Sequence, residues 1–128
     1  MNMTELSLVA TQSTPAIRTN WSTGVLEMRG DSYPENSFEF FAPVVAWVER
    51  FLGESEVPLR LELSLLYLNT SSVKVMMDIF DTLQEAHERG RAVSVQWFYD
   101  KDNERIAELA EEFKEDCTFP FAIVEVEA

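Results

Sequence analysis

Apolar and polar residues alternate along this chain in a way that divides it into short, well-punctuated elements. In "PAIRTNWSTGVLEMRG" (15–30) two extended segments flank "NWSTG", which predicts a β-hairpin with a loop of several residues. Residues 1–12, ahead of it, are expected to form a loose N-terminal arm. "DSYPENS" (31–37) is dense in turn and cap formers, and "FEFFAPVVAWVERFLG" after it carries Phe38, Phe41, Val45, Val48 and Leu52 at helical spacing, closed by Gly53. Proline is tolerated in a first turn but not in a helix interior, so Pro43 predicts that regular helix begins near Ala42. A second apolar row, Phe40, Val44, Trp47 and Phe51, makes the apolar face wider than one buried stripe requires. A deeply buried helix accounts for that width; the alternative is a partner or homodimer surface around Trp47 and Phe51.

"PLRLELSLLYL" (58–68) alternates and then becomes continuously apolar, as a central strand does. After the polar hinge Asn69, Thr70, Ser71 and Ser72, one helical face collects Val73, Met76, Met77, Phe80, Leu83 and His87, and Gly90 ends the segment. The Met76–Met77 pair is read as core filling. "RAVSVQWFY" predicts a further strand. Asp102 or Asn103 caps a third helix with Ile106, Leu109, Ala110, Phe113 and Cys117 on its buried stripe, and "FAIVEVE" supplies a last strand. The order β-β-α-β-α-β-α-β describes an α/β fold, a mixed sheet with helices packed on it. With 128 residues, 46% of them hydrophobic, one domain spanning 1–128 is expected.

Charge narrows the function. Twenty-three acids against ten basic residues give a net charge of −13, which repels nucleic acid and anionic lipid surfaces. No apolar run reaches the roughly 18–20 residues that cross a bilayer, and the start lacks the pattern of a secretory leader, so a cytoplasmic protein without membrane insertion is expected. One cysteine, Cys117, and one histidine, His87, offer neither a disulfide nor a metal-ligand set. Asp31 and Glu35 are explained as turn and cap residues. There is no G-x-S-x-G elbow and no nucleophile placed beside a base, so neither enzyme chemistry nor a cofactor is expected.

The hinge stands apart. A helix start normally gains from Asp or Glu in its first turn, yet in this acidic chain the first acid after the hinge is Asp78, and the charge in the first turn is Lys74. No Glu or Gln completes a capping box. Two readings follow: Asn69, Thr70 or Ser71 simply caps the helix, or a phosphate visits the site, on a ligand or attached to a hydroxyl. A phosphoryl group would bring about −1.5 to −2 charge to the free N–H groups and to Lys74, four residues beyond Thr70.

The order of elements, with a hydroxyl-rich turn between the third strand and the second helix, resembles the STAS fold of anti-sigma factor antagonists. Those proteins carry an Asp-Ser-Ser-Gly-like turn whose first Ser is phosphorylated; Asn69, Thr70, Ser71 and Ser72 take those places here. A resemblance covering nearly the whole chain, from Thr11 to Val124, is to the bacterial SiaC-like biofilm regulation phosphoproteins. "TPAI" (14–17), "GDSYPENS" (30–37), "LYLNTSS" (66–72), "NERIAELAEEFKED" (103–116) and "FPF" (119–121) carry it. The resemblance implies that Thr70 is the phosphoacceptor, with Asn69, Ser71, Ser72 and Lys74 forming the turn that receives the phosphate. It further implies a histidine-kinase-like Ser/Thr kinase, a PP2C-type phosphatase, and a diguanylate cyclase that the unphosphorylated protein binds and activates in c-di-GMP signalling. A module holding a small phosphorylated ligand or lipid at the same helix start, or an anti-sigma factor antagonist, is the alternative.

Overall fold

The computed structural model describes residues 5–126. Six strands, β1 (Ser7–Leu8), β2 (Ala16–Asn20), β3 (Val25–Ser32), β4 (Leu59–Leu68), β5 (Val93–Asp100) and β6 (Phe121–Val126), form one sheet in strictly sequential order. Helices α1 (Ser37–Glu54), α2 (Thr70–Glu88) and α3 (Glu104–Glu115) bridge the three parallel pairs β3–β4, β4–β5 and β5–β6; the two pairings before them are antiparallel. The expected mixed α/β order is therefore present, with β4 between β3 and β5.

β1 is an addition to it. Rather than hanging loose, residues 5–8 are tied to the hairpin: Leu6 N–H donates to Thr19 Oγ1 (2.8 Å), and the Glu5 carboxylate accepts from Thr19 Oγ1 (2.7 Å) and Trp21 N–H (2.6 Å). The hairpin turns at Gly24, whose φ of +72° is left-handed, and a Cβ there would strike the Pro58 carbonyl.

Burial alternates along β4 as far as Leu65: Leu59, Leu61, Leu63 and Leu65 are all fully buried, while Arg60, Glu62 and Ser64 face outward, and a register shift against β3 then leaves Leu66 and Tyr67 exposed and Leu68 buried. The sheet's buried residues share that one face, so the helices pack there, and among the described residues nothing covers the other face. Two aromatic clusters fasten them. Trp21 in the hairpin meets Trp47 and Phe51 of α1 edge-on at 5.8 and 5.1 Å, and Trp97 of β5 stacks on Phe113 of α3 at 5.7 Å with Phe80 of α2 beside it.

Three details depart from the sequence reading. α1 begins at Ser37, five residues earlier than Pro43 suggested, capped by Asn36, whose side chain accepts from Glu39 N–H at 3.0 Å. The ring of Pro43 removes one donor, but Pro43 and Glu39 are both exposed, so water can satisfy the carbonyl that loses its partner. The helix is also rotated from its first apolar row: Phe41, Val44, Trp47, Val48 and Phe51 are buried and Phe38 is 55% exposed. Trp47 and Phe51 are thus core residues and present no free surface. In α2, Met76 is buried but Met77 is 48% exposed.

Cys117 follows α3 and donates from Sγ to the Phe113 carbonyl (3.3 Å). Burial, and then Asp116 and Asp81, push its thiol from 9.0 up to about 11. The folded state therefore holds this proton more tightly than the unfolded chain, a contribution present below pH 9.0 and lost as pH rises towards about 11. Alkylation of the native protein is expected to be slow at neutral pH and to accelerate up to about pH 11, well above the onset seen in a urea-unfolded control. Equal rates for the two states at pH 8 would contradict this.

Candidate functional site

β4 delivers the chain to the site at its carboxyl end, where parallel strands of open sheets characteristically place functional loops. Asn69 is the N-cap of α2: its Oδ1 accepts from Ser72 N–H at 2.9 Å, and its Nδ2 donates to the Pro34 carbonyl at 3.3 Å. Asn69 N–H also donates to the Ser32 carbonyl (2.9 Å), which fixes the turn against the end of β3. Thr70 is consequently the first helical residue, not the cap. The N–H groups of Thr70 and Ser71 are among those a first turn leaves free.

The three hydroxyls of the turn have different fates. Ser72 is fully buried, and its Oγ lies 2.7 Å from Ser32 Oγ and 3.1 Å from Ser37 Oγ while donating to the Ser32 carbonyl at 3.2 Å. Ser71 is half-buried, with its Oγ 2.7 Å from Ser37 Oγ and 3.3 Å from Asn69 Oδ1. Thr70 alone is exposed, and among the described residues its hydroxyl has no hydrogen-bond partner. A kinase needs a hydroxyl it can reach and rotate; only Thr70 meets that condition.

In the sequence Ser32 and Ser37 are ordinary turn and cap formers. Together with Ser71 and Ser72 they make a hydroxyl chain that binds the end of β3 and the starts of α1 and α2 into one unit. Ser72, expected to face an incoming anion, instead lies beneath the turn, because the third residue of a capped helix points back at the cap. Ser72→Val is expected to leave the buried Ser32 hydroxyl without its partner, while Ser37 keeps Ser71, and to destabilise the fold by about 1–3 kcal/mol. Ser71→Ala, at a half-buried position, should cost about 1 kcal/mol or less. Urea unfolding midpoints compare the two, and an unchanged midpoint for Ser72→Val would show that the hydroxyl chain contributes nothing.

The electrostatics favour an anion. α1 and α3 carry Glu39 and Glu104 in their first turns, but α2 carries no acid there. Lys74 is exposed on the same helical ridge as Thr70 and forms no salt bridge among the described residues.

Apolar surface surrounds the turn. Tyr33 and Tyr67 are 39% and 47% exposed and meet edge-on at 6.1 Å beside Asn69. A cavity of about 260 Å³, lined by Leu66, Tyr67, Val73, Ile106 and Leu109, opens on the α3 side. Another of about 330 Å³, between Phe38 and Val45 of α1 and Val75 of α2, opens on the other. Neither brings together a nucleophile and a base. Among the described residues no group of acids, His and Cys is arranged to hold a metal ion, and no helix is long and apolar enough to cross a membrane.

Comparison with known proteins gives a consistent answer. The chain is 64% identical over 121 residues to a protein of Pseudomonas aeruginosa (strain UCBPP-PA14), an alignment covering 94% of this chain and 96% of the relative. SiaC of Pseudomonas aeruginosa superposes with a TM-score of 0.92 at 60% identity, covering 97% of this chain and all of that one. A crystal structure of the diguanylate cyclase SiaD in complex with its activator SiaC, also from Pseudomonas aeruginosa, contains a chain that matches with a TM-score of 0.92 at 63% identity, over 94% of this chain and 99% of its counterpart. The family model described as SiaC family regulatory phosphoprotein matches residues 8–126, so this chain belongs to the SiaC family of regulatory phosphoproteins.

Proposed function

We propose that this chain is a phosphorylation-controlled activator of a diguanylate cyclase, switched by phosphate on Thr70. The observation that carries the reading is the sorting of the hydroxyls: Thr70 is exposed and uncommitted, whereas Ser71 and Ser72 are held in the buried chain. Family membership, and the cyclase complex formed by a relative 63% identical, support the partner class.

The proposed cycle has two states. Unphosphorylated, the apolar collar of Tyr33, Phe38 and Tyr67 receives the cyclase around a neutral hydroxyl. A histidine-kinase-like Ser/Thr kinase then places phosphate on Thr70, where the free N–H groups of the first turn and Lys74 stabilise the dianion, and a PP2C-type phosphatase removes it. The chain itself catalyses nothing and acts in the cytoplasm, where the nucleotide chemistry takes place. Kinase and ATP treatment followed by peptide mapping tests the assignment. Phosphate is expected on Thr70 and absent from the Thr70→Ala protein; phosphate on Ser71 or Ser72 would overturn it.

A further inference from the structure

The bare face of the sheet is unusual. Strands β3 to β6 run parallel, and parallel sheets are normally covered on both sides. Here the helices occupy one side only. On the other, the parallel half carries Phe98, Val124 and Val126 in adjacent register, with Val126 38% exposed. Strands β2, β3 and β4 carry a lattice of charge: Arg18 is paired with Glu27 across β2 and β3, Glu27 lies beside Glu62, and Arg60 Nε donates to Glu62 at 2.7 Å. Two shallow hollows of about 400 and 290 Å³ run across this surface.

Its charge balance differs from that of the whole molecule. Arg18, Arg29 and Arg60 against Glu27, Asp31, Glu62 and Asp100 leave three positive and four negative charges on the face, so the remaining surface carries nearly all of the −13. Two copies of so acidic a chain repel one another in most orientations, but not across this face. A face that alternates both signs is also self-complementary, as a two-fold interface must be. Six strands about 4.8 Å apart and about six residues long span roughly 600 Å² in projection, and side-chain relief raises this towards the ~800 Å² that each partner of a stable complex contributes.

We infer that this bare face is where a second copy of the chain docks, sheet against sheet, in a two-fold dimer. Phe98, Val124 and Val126 form its apolar part, and the arginines of one copy meet the glutamates of the other. Because α2 lies on the opposite side of the sheet, the two Thr70 turns point outward and remain accessible, so one dimer presents two partner sites.

Sedimentation of the full chain at high micromolar concentration tests this. The expected species is about 29 kDa, twice the 14.7 kDa chain. Arg18→Glu with Arg60→Glu, and separately Glu27→Arg with Glu62→Arg, give each face a single dominant sign and should each weaken self-association by roughly tenfold or more. Mixed in equal amounts, the two variants should again sediment as a dimer. Val124→Asp is a second route to the monomer, through the apolar part, and unaltered circular dichroism confirms that each variant is folded. A monomeric wild type overturns the proposal, as does a dimer that persists in all three variants.

Discussion

Thr70→Glu is expected to abolish most of the chain's ability to activate a cyclase, whereas Thr70→Ala leaves activation near the wild-type level and cannot be switched off by the kinase. Thr70 is exposed at the end of β4, whose Tyr67 meets Tyr33 edge-on and shares a cavity with Val73, so a partner that docks on this apolar surface removes the Thr70 hydroxyl from water. A neutral hydroxyl, or a methyl group, tolerates this at little cost. A carboxylate must be stripped of its hydration, and a penalty of about 1.5–3 kcal/mol weakens binding by roughly 10- to 100-fold. Phosphothreonine, with about twice the charge, should lose more. Misfolding predicts the opposite sign in a second measurement: an acid in the first turn of α2, which now has none, should stabilise the free protein by about 0.3–1 kcal/mol. A Thr70→Glu protein that melts slightly higher and fails to stimulate product formation is the expected result. One that stimulates like wild type removes the switch from Thr70.

Trp97→Ala should cause the largest loss of stability. Trp97 is fully buried on β5, stacked on Phe113 and beside Phe80, and its removal leaves a void between two helices and the sheet. About 3–5 kcal/mol is expected, which for a chain of this size lowers the melting temperature by roughly 10–20 °C. Trp97→Phe separates area from polarity. Trp97 Nε1 is buried with no hydrogen-bond partner among the described residues, so phenylalanine removes both packing surface and an unsatisfied donor. The two changes oppose each other, and the net loss should stay below about 1.5 kcal/mol. A Phe variant as unstable as the Ala variant would mean that the indole N–H has a partner after all.

Most of this fold could be read from the sequence because its elements have clear periods and clear stops. The alternation in β4, the stripe Ile106–Ala110–Phe113 and the glycines at 24 and 90 each point to one answer. α1 was harder for a physical reason: apolar residues cover more than half of its circumference, so the sequence has no unique buried direction, and only the Trp21 contact from the hairpin selects the Trp47–Phe51 row. Pro43 misled because a proline whose lost donor faces water is less disruptive than one in a buried helix interior. Two-residue β1 has no period at all.

At the site, the hydroxyl-rich turn, Lys74 and the absence of an acid were visible in the chain, whereas the difference between its hydroxyls, Thr70 exposed and Ser72 buried, exists only in the fold. Ser32 and Ser37 were not visible either, since a serine that ends a strand and one that starts a helix look like ordinary turn residues until the fold brings them within 3.1 Å of Ser72. A signal did exist in hindsight: both lie within "GDSYPENS", a stretch that otherwise has little need for two buried hydroxyls.

The sequential strand order also bears on how the molecule is made. Every strand pairs with its predecessor along the chain, so no strand has to insert between two already made. A nascent chain leaving the ribosome can close the β2–β3 hairpin first and then add one helix and one strand at a time, each onto an edge that already exists. The parallel pairings still join residues on either side of a helix, such as Val25 with Arg60 and Leu59 with Val93, and non-local pairing of this kind slows folding. The site is completed in steps, since the β4–α2 turn is anchored by Ser32 and Ser37 from earlier elements, while the α3 wall of the adjoining cavity is made after it. An incomplete chain would therefore be folded in part before it was able to signal.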